Sequence, residues 1–375
     1  MNLVKLGGTD LEIPSIGMGT GFDFSKTDQK EVLKSLRYGI GFGIKLIDTA
    51  EGYGDGIAEN LVGKAIKGKR SKIIIASKFS PENSTYKKVI DSCNRSLKKL
   101  NTDYIDLYQF HWPNPNVAFE ETFSALEVLK QKGKIRFIGL GNFSKQEILK
   151  AINITRNKMV VSIQAEYNLF ERTIEQNGVL NYCKKNRLSV IAYSPLDQGR
   201  IADMSPVQLK LLDLLSKKYS CSTPQILLAW LAKNKNVIAI PRSLKQEHLE
   251  ENWHSINLKI EKGDILNIDK MFYLPLTLVN TETIMISPHG ERDAKAYQTL
   301  KEALENKLGF VPSPSELAGQ IKDSLILKPV RLIPIKSKFN KFKYELISGR
   351  VRYWAWVIAF GTSKPIPAYV RKVIK

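Results

Sequence analysis

Three stretches decide the fold: KLIDTA at 45–50, IIIASKF at 73–79 and IDLYQFHW at 105–112. Each is a short apolar run rich in strand-forming residues, with a polar or ionisable side chain at or just beyond its carboxyl end. Those side chains are Asp48, Lys78 and His111, and Tyr53 lies a few residues past the first run. A helical pattern follows each run, so the chain reads strand, helix, strand, helix. In a closed parallel α/β barrel the loops after successive strands converge on one face, where chemistry is done. The four residues are therefore expected around one pocket.

A phenol with an ordinary pKa of about 10 is a poor acid at neutral pH, so it needs a nearby cation for the charge left when its proton departs. Lys78 can supply that cation. Asp48 would hold the ammonium by a charge-assisted hydrogen bond, and a neutral His111 could donate to a substrate carbonyl and set its angle. Any one of these residues alone reads as an ordinary strand-end polar group. The four together, in the order Asp, Tyr, Lys, His, read as a proton donor for a carbonyl oxygen.

With these residues in view, the chain resembles the aldo-keto reductases. IDTAEGYGDGIAENLVGKAIK is similar to that family's long signature, IIIASKF carries its lysine, and LYQFHWP its histidine. The resemblance implies NAD(P)H-dependent reduction of an aldehyde or ketone to an alcohol, with Tyr53 as general acid and hydride arriving from the nicotinamide. It also implies a (β/α)8 TIM barrel over residues 1–280. Eight strand candidates agree with that count: IGMGT, KLIDTA, KIIIASKF, IDLYQFHW, IRFIGLGNF, VSIQAEYN, SVIAYSPL and VIAIPRS. The opening LVKLGGTDLEIP suggests a hairpin capping the barrel bottom.

A nicotinamide needs amide partners for its carboxamide and a flat surface for its ring. Asn142 in GNFS and Gln164 in VSIQAEYN offer the first, and Tyr193, followed by Ser194, offers the second. The family often has a serine just before that asparagine; here the position is Gly141, so one carboxamide contact is expected to be missing. IPRSLKQEHLEEN places Arg242, Ser243 and Lys245 at a helix start, followed by Glu251 and Asn252. A helix N-terminus with added cations attracts phosphate. By the resemblance this stretch grips the 2′-phosphate and adenine of NADPH, and the two cations favour NADP over NAD. His248 stands where many members carry arginine.

The chain has 375 residues, more than one barrel needs. Residues 283–375 hold seventeen Lys or Arg against seven Asp or Glu, half of the net charge of +20. ILKPVRLIPI, YELISG and PIPAYV are strand-like, and 293–307 and 315–324 are amphipathic, so this tail is expected to fold as a smaller α+β domain. Its order of elements resembles the ParB/sulfiredoxin-like domain. That resemblance implies a nucleotide or phosphate site at Gly349 and Arg352, with Arg292 matching an upstream arginine and ATP or CTP as ligand. Arg350 and Val351 depart from the Glu-Arg of partition proteins. Sulfiredoxin chemistry is disfavoured, because Cys93, Cys183 and Cys221 all belong to the barrel. Against ligand binding stands a domain kept for stability or dimerisation. The boundary at 276–283 is short, which suggests packed modules.

MNLVKLGGTD lacks a signal-peptide core, and YWAWVIAF is too short to span a bilayer and is expected in the tail's core. Three scattered cysteines argue for reduced thiols with neither disulfides nor a metal site. A cytoplasmic enzyme without a membrane partner is expected. The positive charge would draw an anionic or phosphorylated carbonyl substrate, with Phe22, Tyr86, Trp112 and Phe170 supplying an aromatic lining. A rival reading is a DNA-associated ParB-like protein using the barrel as a redox-sensing scaffold. The sequence pI of about 9.6 permits it, but no helix-turn-helix segment follows the ParB-like stretch, which disfavours a nucleic-acid partner. A third is a barrel that has lost its chemistry, and the intact tetrad speaks against that.

Overall fold

A computed structural model describes residues 3–155, 160–197, 199, 204–274, 276–287, 297–310, 312–324, 329–335 and 341–370. The chain forms two compact units: Met1–Asp203 with Lys210–Asp269, and Met204–Leu209 with Lys270–Lys375.

The first unit opens with an antiparallel hairpin, β1 (Leu3–Lys5) and β2 (Glu12–Pro14). Eight parallel strands follow, hydrogen-bonded in chain order: β3 (Met18–Gly19), β4 (Leu46–Asp48), β5 (Ile74–Phe79), β6 (Ile105–Phe110), β7 (Ile135–Gly141), β8 (Val160–Glu166), β9 (Ser189–Tyr193) and β10 (Val237–Ala239). The ring closes where Ile16 bridges to Ala239, with Gly17 N donating to Ala239 O at 2.8 Å and Ala239 N to Ser15 O at 2.9 Å. All eight expected strands are present. Alternate residues point inward, so Leu46, Ala76, Leu107, Ile191 and Ile238 fill the interior, and Leu6 and Ile13 of the hairpin pack against them. The hairpin thus plugs the floor. Gly7 makes this approach feasible: its φ is +60°, and a Cβ there would lie 2.4 Å from Val161 O.

Local signals set the helices that aim the loops. Ser144 and Glu147 form a reciprocal capping box that starts α5 (Lys145–Ile154) directly after the β7 loop. The earlier helices are α1 (Gln29–Phe42), α2 (Ile57–Ala65), α3 (Tyr86–Leu100) and α4 (Phe119–Gln131). Asn101 ends α3 in the left-handed conformation, a position that asparagine tolerates. Beyond α5 come α6 (Thr173–Gln176), α7 (Val179–Lys185), α8 (Pro206–Lys218), α9 (Thr223–Leu231), α10 (Gln246–His254) and α11 (Lys262–Phe272). The sequence TPQILLAWL of α9 is apolar nearly all round, and Ile226 through Leu231 are buried accordingly.

The second unit is a mixed sheet with helices. Its strands are β11 (Leu276–Val279), β12 (Ile284–Met285), β13 (Val330–Pro334), β14 (Tyr344–Ser348) and β15 (Ile366–Val370), in the order β11-β15-β13-β14-β12. The helices are α12 (Leu300–Leu304), α13 (Pro314–Ser324) and α14 (Arg350–Phe360). YWAWVIAF lies on α14, and Tyr353, Trp354, Trp356 and Val357 join Val330, Leu332, Leu346 and Ile366 in this unit's core. Each large aromatic handle finds an acceptor: Trp354 Nε1 donates to Tyr297 O at 2.9 Å, Trp356 Nε1 to Lys364 O at 3.0 Å, and Tyr353 OH to Thr281 O at 3.2 Å.

Two expectations shift. The stretch 276–283, expected as a short connection, begins with a strand: β11 pairs with β15 (Leu276 opposite Tyr369, Val279 opposite Ile366) and so belongs to the second sheet. The helix expected over 293–307 is, among the described residues, only Leu300–Leu304. Thr299 accepts from Glu302 N at 3.2 Å and starts the helix there. No helix among the described residues is long and apolar enough to cross a membrane.

Candidate active site

Asp48 ends β4, Lys78 sits within β5, His111 directly follows β6, and Tyr53 lies in the turn after β4. The structure brings all four together. Lys78 is fully buried, and its Nζ donates to Asp48 Oδ1 at 2.6 Å, Thr49 O at 2.8 Å and Tyr53 OH at 3.3 Å. Three ammonium hydrogens thus meet three acceptors, which is what a buried cation requires. Burial alone would push the Lys78 pKa down, but the Asp48 carboxylate and Tyr53 beside it leave it above the usual lysine value. The ammonium is therefore charged at neutral pH.

His111 packs its ring edge-on to Tyr53, with centroids 5.6 Å apart at 78°. Burial, with Lys78 nearby, drives the His111 pKa down to about 3. The imidazole is neutral at physiological pH and can donate from only one nitrogen. An oxygen placed against Tyr53 OH and His111 would meet one hydroxyl and one neutral imidazole, with a fixed positive charge behind the hydroxyl. Such an arrangement can hand a proton to a carbonyl oxygen.

Gln164, expected only as a cofactor contact, and Gln109, Thr20, Glu51 and Glu59, not foreseen from the sequence, surround this set. Asp48 Oδ2 accepts from Gln164 Nε2 at 2.8 Å and from the buried Gln109 Nε2 at 3.4 Å, so both carboxylate oxygens are engaged. Thr20 anchors the Asp48 carbonyl through its N–H and hydroxyl, both at 3.0 Å. Glu51 ties the β4 loop to the β5 loop by accepting from Ser80 N and Asn83 Nδ2, each at 2.7 Å. Behind β5, Ser77 donates to the fully buried Glu59 at 2.7 Å, and burial raises the Glu59 pKa. The signal for Gln109 is the strand register, which sets it opposite Lys78.

The residues expected to hold a nicotinamide lie on the same face. Asn142, at φ +63°, donates through Nδ2 to His111 O at 3.0 Å and accepts from Tyr193 OH at 2.8 Å. Gln164 commits its Nε2 to Asp48, which leaves Oε1 as the atom suited to a carboxamide N–H. Ser194, also at positive φ, has its carbonyl held by Asn168 Nδ2 at 2.9 Å. Gly141 is explained by space. A Cβ there would lie 2.5 Å from Phe110 O and 2.6 Å from His111 O, so the backbone carrying His111 occupies the room a serine would need.

Lys245 N-caps α10 without any side chain closing the first turn, and Ser243 Oγ accepts from Lys245 N at 3.1 Å. The Arg242 guanidinium lies 5.0 Å over the Phe22 ring. Ser243 is pinned by Ser35 Oγ, which donates to its carbonyl at 2.6 Å, and its hydroxyl lies 3.4 Å from His248 Nδ1. Glu251 lies within α10 and accepts from Ser222 Oγ at 3.3 Å, while Asn252 is buried. The open helix start and exposed cations fit a phosphate. Of the aromatic lining, Phe22 and Phe170 are half-buried, and Tyr86 and Trp112 are 40% and 43% exposed.

In the second unit Gly349, at φ +99°, precedes α14, and Arg352 Nη1 donates to Pro329 O at 2.6 Å. Arg292 lies outside the described residues.

A closed eight-stranded parallel barrel with this tetrad at the carboxyl ends of its strands defines a class of oxidoreductase. The chain belongs to the aldo/keto reductase family, whose profile matches residues 15–272, and it is an NAD(P)H-dependent aldo-keto reductase by class. It is 34% identical over 274 residues to the methylglyoxal reductase YeaE of Escherichia coli (strain K12), covering 73% of this chain and 95% of that protein. It is 31% identical to a glyoxal reductase of Bacillus subtilis (strain 168), covering 70% and 90%. Among solved structures it resembles the thermostable aldo-keto reductase Tm1743 in complex with epalrestat, with TM-score 0.68 and 37% identity over 72% of this chain and all of the other. An aldo/keto reductase from Klebsiella pneumoniae in complex with NADP and acetate matches with TM-score 0.67 and 30% identity, covering 72% and 96%.

Proposed function

We propose that this chain reduces small aldehydes and ketones, 2-oxoaldehydes of the methylglyoxal type among them, with NADPH as reductant. When bound, NADPH supplies the hydride. Tyr53 gives its proton to the carbonyl oxygen, Lys78 stabilises the charge left on the phenol oxygen, Asp48 holds Lys78, and neutral His111 orients the carbonyl. Gln164 and Asn142 meet the carboxamide, the Tyr193 ring supports the nicotinamide with Ser194 beside it, and Arg242, Ser243 and Lys245 meet the 2′-phosphate, with Glu251 and Asn252 toward the adenine. One observation carries the reading: the buried Lys78 ammonium bridges Asp48 and the Tyr53 hydroxyl. The relatives named methylglyoxal and glyoxal reductases support the substrate class.

Tyr53→Phe tests it. NADPH oxidation with methylglyoxal should fall at least about a thousandfold, within the range general acid catalysis contributes, while NADPH affinity stays within about twofold. Turnover that survives the change means another group gives the proton.

For the second unit we propose a ParB/sulfiredoxin-like domain that takes a nucleotide or phosphorylated ligand at Gly349 and Arg352. Its support is the left-handed glycine opening an eleven-residue helix. Titration with ATP and CTP, repeated on Arg352→Ala, tests it. A thermal shift absent from wild type, or unchanged in the variant, removes the ligand.

A further inference from the structure

A concavity lies on the face of the barrel opposite the tetrad, at the N-terminal ends of β9 and β10. Its volume is about 410 Å³, and Lys5, Lys184, Arg187, Lys233 and Lys235 contribute to its lining, which holds no acidic residue. Lys233 is committed to Asp269 at 2.8 Å. The other four are exposed, and none makes an ion pair among the described residues. Four cations around one hollow repel each other and gain by sharing an anion.

Arg187 supplies an independent observation. It follows α7, and Leu188 N donates back to Cys183 O at 2.8 Å, closing a left-handed helix end with Arg187 at φ +53°. Glycine is the usual residue at that position because a side chain is strained there. A long cationic side chain at a strained turn facing a basic hollow is the pattern expected when function outweighs local stability. The lining contains no aromatic ring to stack a base, and its two amides, Asn234 and Asn236, already donate to Tyr167 OH and Leu188 O, each at 3.2 Å, so the cations carry the recognition.

We infer that this hollow binds a multiply charged phosphate chain, recognised by charge and without a nucleobase. The site is separate from the reductase tetrad and does not depend on the reductase reading.

The test uses the full-length protein with NADPH at saturation, so that phosphate sites belonging to the cofactor are filled. Sodium tripolyphosphate is titrated by calorimetry against wild type, Arg187→Gly and the double variant Lys184→Gln/Lys235→Gln. Arg187→Gly should raise the melting temperature of the free protein, since it relieves the strained turn, yet weaken tripolyphosphate binding at least about tenfold, equivalent to about 1.4 kcal/mol. The double variant should weaken it similarly, and NADPH oxidation should not change in either. Absence of tripolyphosphate binding to wild type, or equal binding to all three proteins, overturns the assignment. ATP binding more than tenfold tighter than tripolyphosphate would overturn the class of ligand.

Discussion

Asp48→Asn removes one charge and changes no volume, yet it should be among the most damaging substitutions in the barrel. In the native protein Asp48 Oδ1 lies 2.6 Å from the ammonium of a lysine with no solvent exposure. At an effective dielectric of about 20, two unit charges at that distance attract by about 6 kcal/mol. Desolvation of both groups offsets much of this, and losing one partner of a buried pair typically costs roughly 3–5 kcal/mol, because the other charge is left uncompensated. An asparagine also presents an N–H₂ either to Lys78 or to the amides of Gln164 and Gln109, which already donate to Asp48 Oδ2. The assay is urea unfolding of both proteins at several pH values. In the wild type the Lys78 pKa is raised, so its stabilising effect holds below the unfolded lysine value and fades only as pH climbs through the higher folded one. In the variant burial dominates and lowers the folded pKa below the unfolded one. The penalty should therefore be largest near pH 7 and shrink toward pH 10, as the ammonium becomes neutral. Adding Lys78→Met to the variant should recover stability, a strongly non-additive cycle. A penalty under about 0.5 kcal/mol, within the scatter expected of an uncoupled site, or one independent of pH, would refute the coupled-pair account.

Three further outcomes follow from the site. Gly141→Ser should not restore a cofactor contact; it should displace the backbone at His111, cost about 1–3 kcal/mol of stability as an overpacked site, and lower kcat, and unchanged kcat with normal stability would contradict the spacing at Gly141. Because the folded His111 pKa is about 3 and the ordinary value is 6.5, the unfolded chain takes up a proton between those pH values that the folded chain refuses. Stability should accordingly fall as pH drops through that window, by up to about 1.4 kcal/mol per pH unit, and an NMR titration of His111 with a midpoint near 6.5 would defeat this. Replacing Arg242 and Lys245 together by alanine should raise KM for NADPH about tenfold or more and leave KM for NADH almost unchanged, and equal effects on both cofactors would exclude a 2′-phosphate role.

The barrel is legible in the sequence because its strands announce themselves twice: β-branched runs mark their length, and Asp48, Lys78 and His111 mark their ends. The tetrad is legible because its members are chemically unusual at those positions. Gln109 is not, since a glutamine in a strand looks ordinary until the register sets it opposite Lys78. Gly141 misleads for a related reason. Along the chain it is an absent hydroxyl beside the cofactor, whereas in the folded protein it is clearance for the neighbouring strand end. LTLV, inside the expected boundary, looks like connecting chain because its partner, β15, lies at the far end of the tail. Pairings between distant segments are the information a linear pattern carries least.

The segment Met204–Leu209 clusters with Lys270–Lys375 although it sits between β9 and the remainder of the barrel sequence, and Gln208 Nε2 reaches Met271 O at 3.5 Å. The two units are therefore not consecutive beads. A cut at residue 280 strips β11 from its sheet, and a cut before Lys270 still separates 204–209 from the rest of its own unit. For protein engineering, grafting the tail onto another barrel would require carrying the start of α8 from within the barrel sequence as well.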